Sequence, residues 1–296
     1  MGLPQAVPCR RKGDPMLLVR PSVPEDVPAQ RELWKLAFGD SDPYIDNFYN
    51  SYYRPGQVVV LEEDGLVRSM TAWFDTTFVV PGQGEYRAAY LYAVATHPDC
   101  RGQGLAGKLL AGADEYFRSL NIPAVTTVPA EPSLHDFFGA NGFRECFTYS
   151  QAAPGEDEEL LRPFALKPVD AKQYARLRAA ILAEIPHIAY PPDALEYQQG
   201  CCRLSGGGLY LAETAKGTAL LCSEGLENGR MLVKELVACP QAQAQVLACL
   251  NKQLPGCAAV RTPGPDVKFG MLKWLSPELE HAWDWKSTGY LGLAFD

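Results

Sequence analysis

The stretch Arg101-Gly-Gln-Gly-Leu-Ala-Gly-Lys-Leu-Leu constrains the fold more than any other part of this chain. It follows an apolar segment, residues 89–98, and it opens a segment in which apolar side chains recur at three- and four-residue spacing. That order predicts a buried strand, a glycine loop and an amphipathic helix that packs one face on a sheet. Glycines at a helix start leave its first N–H groups unpaired, and the helix dipole adds positive potential there. We therefore expect this loop to bind an anion such as a phosphate group.

The same order of elements occurs twice along the chain. Helices are predicted at residues 27–38 and 174–184, and the predicted strands are 58–62, 69–74, 89–98 and 124–128 in the first half and 209–213, 218–223, 231–240 and 258–261 in the second. This pattern predicts an α/β (α+β) fold with a mixed β-sheet flanked by helices, in two tandem copies. We expect a disordered tail over residues 1–16, domains at 17–150 and 165–296, and a polar, acidic linker at 151–164.

Composition excludes several classes of function. The net charge of -8 argues against a nucleic-acid-binding protein, which needs a basic face. No apolar run approaches the roughly 20 residues that span a bilayer, and no signal peptide is evident, so a cytoplasmic protein with no membrane partner is expected. The nine cysteines form no CxxC pair and the four histidines are far apart, so no metal site is expected and the cysteines are expected to be free thiols.

The residues of the glycine loop allow three structural interpretations. Gly102, Gly104 and Gly107 fit the GxGxxG pattern of dinucleotide-binding folds, but the five residues His97-Pro-Asp-Cys-Arg intervene between the apolar part of the strand, which ends near Thr96, and the first glycine. A nucleotide-phosphate loop, GxxxxGK[ST], fails at Leu109, which cannot hold Mg²⁺ as Ser or Thr would. A plain strand-to-helix crossover accounts for Gly107 but not for three glycines that follow an arginine.

Residues 94–106 resemble the GNAT superfamily of acyl-CoA N-acyltransferases. Arg101, Gly104 and Ala106 fill its signature [Q/R]-x-x-G-x-[G/A], and residues 137–143, Phe-Phe-Gly-Ala-Asn-Gly-Phe, resemble its F-Y-x-x-x-G-F motif at the usual distance. The resemblance covers residues 17–150 well and residues 165–296 only as a degenerate echo. It implies a GNAT-like fold and an N-acetyltransferase that uses acetyl-CoA as co-substrate, with no metal, to acetylate a primary amine of a small-molecule or peptide acceptor by direct attack in a ternary complex.

The resemblance also implies which residues hold the cofactor. The pantetheine arm would pair with the end of the fourth strand, where a backbone N–H polarises the thioester carbonyl. The pyrophosphate would lie on the amides of the glycine loop. The implied cofactor-binding residues are Val94, Ala95, Thr96, Arg101, Gly102, Gln103, Gly104, Leu105, Ala106, Gly107, Ser133 and Phe138.

Candidates for the acceptor side come from the strand that enters the motif. Tyr90 and Tyr92 lie two residues apart, so they share one face of that strand and are our candidates for catalytic residues lining the acceptor pocket. Asp75 and Glu85 are nearby carboxylates that could act as a base. Phe138 stands where many family members have a tyrosine that protonates the leaving thiolate, and a phenyl ring has no proton to donate. Ser133, Tyr149 or water would have to substitute.

The second half lacks the cofactor loop, because Pro240 is followed by Gln-Ala-Gln-Ala-Gln, with neither glycine nor arginine. A tandem arrangement with one degenerate half resembles the bacterial enhanced-intracellular-survival type of aminoglycoside N-acetyltransferase. In some of those enzymes the chain terminus enters the catalytic cleft, which implies a catalytic role for Asp296 here. The alternative function, motivated by Phe138, is a non-catalytic acyl-CoA-binding sensor or scaffold. The sequence does not decide between a monomer and a homo-oligomer.

Overall fold

The computed structural model describes residues 16–155 and 164–295. The strands of the first half are β1 (Leu17–Pro21), β2 (Val58–Glu63), β3 (Leu66–Val80), β4 (Gly84–Thr96), β5 (Ala124–Thr127) and β6 (Arg144–Ala152). Its helices are α1 (Val27–Phe38), α2 (Asp42–Ser51), α3 (Leu105–Ser119) and α4 (Pro132–Ala140).

The second half repeats this order with two differences: a strand, β8, lies between its first two helices, and no described strand follows its last helix. Its strands are β7 (Leu166–Pro168), β8 (His187–Ala189), β9 (Gly208–Thr214), β10 (Gly217–Gly225), β11 (Met231–Ala238) and β12 (Cys257–Trp274). Its helices are α5 (Ala171–Ile181), α6 (Pro192–Leu204), α7 (Pro240–Gln253) and α8 (Pro277–Ala282). The predicted mixed α/β class in two copies is confirmed, and each predicted strand and helix has a counterpart.

Local chemistry explains where the predicted helices begin and end. The helix predicted at residues 27–38 is α1, and it stops because Gly39 adopts the left-handed conformation with φ 72°. The helix predicted at residues 174–184 is α5, which begins three residues earlier. Its side-chain cap is Asp170, which accepts a hydrogen bond of 2.7 Å from the N–H of Gln173.

A single sheet joins the two halves. Among the described residues its strand order is β1-β2-β3-β4-β5-β12-β11-β10-β9-β7, with β6 paired to β12 and β8 paired to β3. The connection is β12, which starts as a parallel neighbour of β11 and continues as an antiparallel neighbour of β6 and β5. The strand predicted at residues 258–261 is only the first part of β12. The two copies therefore do not simply lie side by side, because the second half supplies a strand to the sheet of the first.

The hydrophobic core lies on both faces of this sheet. Helix α3 buries Leu105, Leu109, Ala113 and Phe117 on one face, as its sequence period predicts, each with at most 3% of its surface exposed. The second half contributes to the same cluster, chiefly through Met271 of β12. The opposite face packs against α1 and α2 of the first half and α5 and α6 of the second. Helix α7 covers a third cluster, formed by the second half.

No helix within residues 16–155 and 164–295 is long and apolar enough to cross a membrane. In that same part of the chain, no three His, Cys, Asp or Glu side chains are grouped so as to hold a metal ion.

Candidate functional site

Strand β4 carries a bulge at Ala93. The register with β3 pairs Ala72 with Tyr92 but Met70 with Ala95, so Ala93 and Val94 share one partner position on β3. Ala93 has φ 50°, a conformation that residues with a side chain seldom adopt. A bulge re-aims the backbone groups next to it and is often found near a functional site. At the bulge, backbone N–H groups of β4 therefore depart from the regular hydrogen-bond pattern with β3.

Beyond the bulge, β4 loses its neighbour on one side. Strand β5 runs parallel to β4 only from Ala88 to Leu91, where Thr127 ends the pairing. The other side stays tied to β3, since the N–H of His97 donates to the carbonyl of Arg68 at 2.8 Å. Residues 92–96 therefore form a one-sided strand edge in the described structure. Such an edge can accept an extended ligand as an added strand.

The glycine loop runs from this edge to the start of α3. Gly102 and Gly104 have φ 76° and 73°, values that favour glycine, and a Cβ on either would meet nothing within 4 Å. Helix α3 begins at Leu105, directly after Gly104. The loop is therefore both conformationally dependent on glycine and open to solvent.

The backbone amides of residues 102–107 have no acceptor among the described residues. Within the described chain, the N–H groups of residues 102–107 donate to no backbone or side-chain oxygen, and the first helical bond is from Lys108 to Gly104 at 3.2 Å. The Arg101 Nε donates to the carbonyl of Thr96 at 3.4 Å, which ties the loop to the open end of β4. Free N–H groups at the positive end of a helix are a good site for a pyrophosphate.

Tyr92 lies in a chain of hydroxyl groups that crosses between the two halves. Its hydroxyl is 3.0 Å from that of Tyr44 on α2 and 2.8 Å from that of Tyr197 on α6. Burial raises the pKa of Tyr92 well above its usual value, so the phenol stays protonated at neutral pH. Tyr44 and Tyr197 were not singled out from the sequence, because no motif marks them.

The C-terminal segment brings Phe295 to the two candidate tyrosines. The Phe295 ring centroid is 5.7 Å from that of Tyr90 and 6.2 Å from that of Tyr92, and its side chain is 1% exposed. Both tyrosines belong to the same aromatic cluster, as expected for residues two apart on one strand face. Asp296, the predicted catalytic residue, lies outside the described residues.

The α4 motif is mostly a packing element. The ring of Phe138 is 4% exposed and contacts Phe137 and Phe143 with ring centroids 5.2 and 5.4 Å apart. Little of its surface is left for a cofactor. Ser133, at the start of α4, is exposed, and its hydroxyl is 3.5 Å from a Glu131 carboxylate oxygen.

The two carboxylates considered as bases line a cavity farther along β3 and β4. Asp75 forms an ion pair of 2.6 Å with Arg87, and both residues line a cavity of about 660 Å³ together with Glu85. Asp75 lies opposite Ala89, and Glu85 is eight residues before Ala93. At about 3.3 Å per residue these positions are roughly 13 and 26 Å from the bulge. Neither carboxylate is placed to take a proton there.

The second half has a closed helix start at the equivalent position. Helix α7 begins with Pro240 immediately after Cys239, and no glycine separates it from β11. As in α3, the first helical bond joins the fourth residue after the cap, here Gln243, to the cap carbonyl, that of Cys239, at 2.9 Å, so the two helix starts differ in the loop before them. Proline removes one amide and the direct strand-to-helix junction leaves no loop for a phosphate.

Comparison with known proteins places these features in context. A sequence model of the acetyltransferase (GNAT) domain matches residues 19–143, which contain β2 to β5, the bulge and the glycine loop. A search of curated protein sequences gives no match.

Several solved structures share the fold over most of the chain. A GCN5-related N-acetyltransferase from Kribbella flavida aligns with 88% of this chain and 71% of its own, at 16% identity and a TM-score of 0.66. Eis1 from Mycobacterium abscessus aligns with 90% of this chain and 75% of its own, at 14% identity and a TM-score of 0.62. A GCN5-related N-acetyltransferase from Anabaena variabilis aligns with 88% of this chain and 73% of its own, at 15% identity and a TM-score of 0.65. At these identities the likeness is one of fold, and it extends over both halves.

Proposed function

Since residues 19–143 form an N-acetyltransferase domain of the GNAT family, we propose that this enzyme transfers an acetyl group from acetyl-CoA to a primary amine of a small-molecule or peptide acceptor. The observation that carries the proposal is the open edge of β4 beyond the Ala93 bulge, which leads into a loop of free amides at the start of α3. One end of this path suits a thioester, and the other suits a pyrophosphate.

The cofactor would lie along that path. The pantetheine arm would pair with Val94, Ala95 and Thr96, and the pyrophosphate would accept hydrogen bonds from the amides of residues 102–107. The Arg101 side chain holds the loop against Thr96, so it orders the phosphate site. This assignment agrees with the exposure of residues 101–104.

The reaction requires a neutral amine next to the thioester carbon. The amine nitrogen attacks the carbonyl, a backbone N–H at the bulge stabilises the negative oxygen, the C–S bond breaks and CoA thiolate leaves. The protonated amide nitrogen then loses its proton. Tyr92 is not the base, because its pKa is raised by burial, and we assign it the role of a hydrogen-bond donor that orients the acceptor.

The base in this proposal is the carboxylate of Asp296, which follows Phe295 in the chain. What supports the proposal is the residue before it, Phe295, whose ring contacts those of Tyr90 and Tyr92. Phe138 itself supplies no proton to the leaving group, and the ring of the other candidate, Tyr149, lies against Phe269 with centroids 5.0 Å apart. A CoA thiol has a pKa of about 8.5, so its thiolate leaves without a proton donor, more slowly than with one.

A non-catalytic acyl-CoA sensor is the second candidate. The observation that favours it is the buried position of Phe138, which supplies no acid to the leaving group. Both candidates predict acetyl-CoA binding, so a binding assay alone does not separate them.

Release of free thiol in the presence of a panel of amines separates the two. We expect at least one primary amine to raise thiol release well above the hydrolysis seen without an amine. The panel should include simple alkylamines, polyamines, aminoglycosides and peptides with a free N-terminus. If acetyl-CoA binds and no amine accelerates thiol release, the sensor replaces the enzyme as the assignment.

A further inference from the structure

A buried ion pair in the second half contacts the segment that carries Phe295. Arg178 of α5 and Glu235 of β11 are 2.9 Å apart, and their side chains are 2% and 0% exposed. The hydroxyl of Tyr174 also donates to Glu235 at 2.9 Å. Burying two charges is costly unless both are paired and hydrogen bonded, which is the case here. The groups around this ion pair show which segment it holds in place.

Arg178 has donors left over after it binds Glu235. One donates to the carbonyl of Ile188 on β8 at 2.6 Å, and another donates to the carbonyl of Leu291 at 3.2 Å. The hydroxyl of Tyr190 donates to the same Leu291 carbonyl at 3.1 Å. The ion pair therefore binds the backbone of the C-terminal segment four residues before Phe295.

The next residue makes a bend against the ion pair. Gly292 has φ 75°, and a Cβ on it would lie 2.1 Å from Glu235 Oε2 and 2.6 Å from Arg178 Nη2. Only glycine fits this position, for both its conformation and its size. After the bend come three buried residues, each with at most 1% of its surface exposed: Leu293, Ala294 and Phe295.

The bend lies at the seam, the region where the two halves of the chain pack against each other. Before it, Gly289 and Tyr290 form bridges with Phe147 of β6 and His187 of β8. After it, the Phe295 ring lies against Phe74 of β3, with centroids 4.4 Å apart, as well as against the two tyrosines of β4. The segment thus contacts both halves before the bend, and it ends in an aromatic cluster to which both halves contribute.

We propose that the Arg178–Glu235 pair is a positioning clamp: it fixes the bend at Gly292 and so holds Phe295 as a wall of the acceptor pocket next to Tyr90 and Tyr92. The link to acceptor binding rests on the proposed function, whereas the clamp itself does not.

The test removes both charges together, because an unpaired buried charge would endanger folding. In the double variant Arg178→Met, Glu235→Gln, the side-chain volume is roughly kept. The Arg178 donors to the carbonyls of Ile188 and Leu291 are lost, while the Tyr190 hydroxyl still donates to Leu291. Gly292→Ala is a second variant that acts on the bend directly. Arg20→Met, Asp26→Asn, which likewise removes both charges of an ion pair, here one of 2.6 Å in the first half, is the matched control.

Two readouts separate the clamp from the proposed function. Hydrogen exchange of the amides of residues 289–295 should accelerate at least tenfold in the double variant and not in the control, while α3 keeps its protection. The KM for the amine should rise about tenfold in the double variant, with the KM for acetyl-CoA within twofold of the original. Unchanged exchange in a folded double variant overturns the clamp.

The remaining outcomes are also decisive. Faster exchange with an unchanged KM for the amine overturns the role of Phe295 in the acceptor pocket. If the original protein acetylates no amine, the proposed function fails, and hydrogen exchange still decides whether the clamp holds the segment.

Discussion

Gly104 is the residue on which the anion site depends most directly. It precedes α3 with φ 73°, its surroundings are open, and its amide is one of the free donors of the loop. A side chain there would be conformationally strained and would project toward the space that a phosphate needs. The strain alone costs roughly 1 kcal/mol, so its effect on folding is modest.

We expect Gly104→Glu to abolish measurable acetyl-CoA binding in calorimetric titration, because a carboxylate would face the pyrophosphate. Gly39→Glu is the matched control, since Gly39 has φ 72°, open space and the same strain, and it lies at the end of α1. The control should bind acetyl-CoA like the original protein. Retained binding by Gly104→Glu would remove the loop from the cofactor site.

Tyr92 is the residue whose hydroxyl links the two halves. Tyr92→Phe keeps the ring in the aromatic cluster but leaves the hydroxyls of Tyr44 and Tyr197 without their common partner. We expect the free energy of unfolding to fall by about 1–3 kcal/mol, from urea denaturation, and kcat for the preferred amine to fall about tenfold. The affinity for acetyl-CoA should not change.

Tyr116→Phe provides the comparison for that variant. The Tyr116 hydroxyl donates to the Gly56 carbonyl at 3.0 Å, away from the tyrosine chain. The Tyr116→Phe variant should lose a similar amount of free energy of unfolding, with kcat unchanged. Equal kcat values for the two variants would show that the Tyr92 hydroxyl does not orient the acceptor.

At the scale of elements, β12 makes the first half depend on the second. It is the common neighbour of β5 and β6, and Met271 fills the cluster under α3. Lys273 adds a bond of 2.8 Å to the Asn141 carbonyl at the end of α4 and an ion pair with Asp114 of α3. Burial raises the pKa of Asp114, and this nearby ammonium opposes that shift.

We therefore expect a fragment of residues 16–155 to be unfolded when produced alone. Without β12 it would expose the paired edges of β5 and β6, and its core would lack Met271. Circular dichroism and proton spectra would show this directly. Production together with residues 164–296 should restore a folded, acetyl-CoA-binding complex. A fragment that folds and binds acetyl-CoA by itself would contradict the dependence on β12.

At the scale of the whole molecule, buried cysteine thiols make the free energy of unfolding depend on pH above neutrality. Burial raises the pKa of the Cys146 thiol to about 12 and that of Cys201 to about 11. In the unfolded chain both thiols would have a pKa of about 8.5. Because the folded values are the higher ones, the thiols stabilise the fold fully below pH ~8.5. That stability is lost as the pH rises toward the folded values.

Thermal unfolding should accordingly show a melting temperature that falls between pH 8.5 and 11. Cys146→Ala and Cys201→Ala should each make the decline shallower, after allowance for their lower stability at pH 7. Cys239→Ala is the control, since Cys239 is exposed. A decline as steep in the Cys146 and Cys201 variants as in the original protein would contradict the assignment.

Short-range patterns were sufficient for much of the fold. The helix at residues 27–38 follows from its apolar spacing and from Gly39, and the buried face of α3 follows from Leu105, Leu109, Ala113 and Phe117. The glycine loop at the start of α3 was likewise predicted, because glycines, a preceding strand and a following helix are adjacent in the chain. Each of these features depends on residues within a few turns of one another.

Only the tertiary structure decided how the halves are joined and what closes the site. The apolar residues of β12 would suit a neighbour in either half, and the pairing with β5 and β6 depends on competition between strands more than 100 residues away. Tyr197 and Phe295 likewise approach Tyr92 because α6 and the bend at Gly292 are packed across the seam. The physical reason is that side-chain periodicity specifies which face of an element is buried, whereas the partner of that face is selected by packing over the whole molecule.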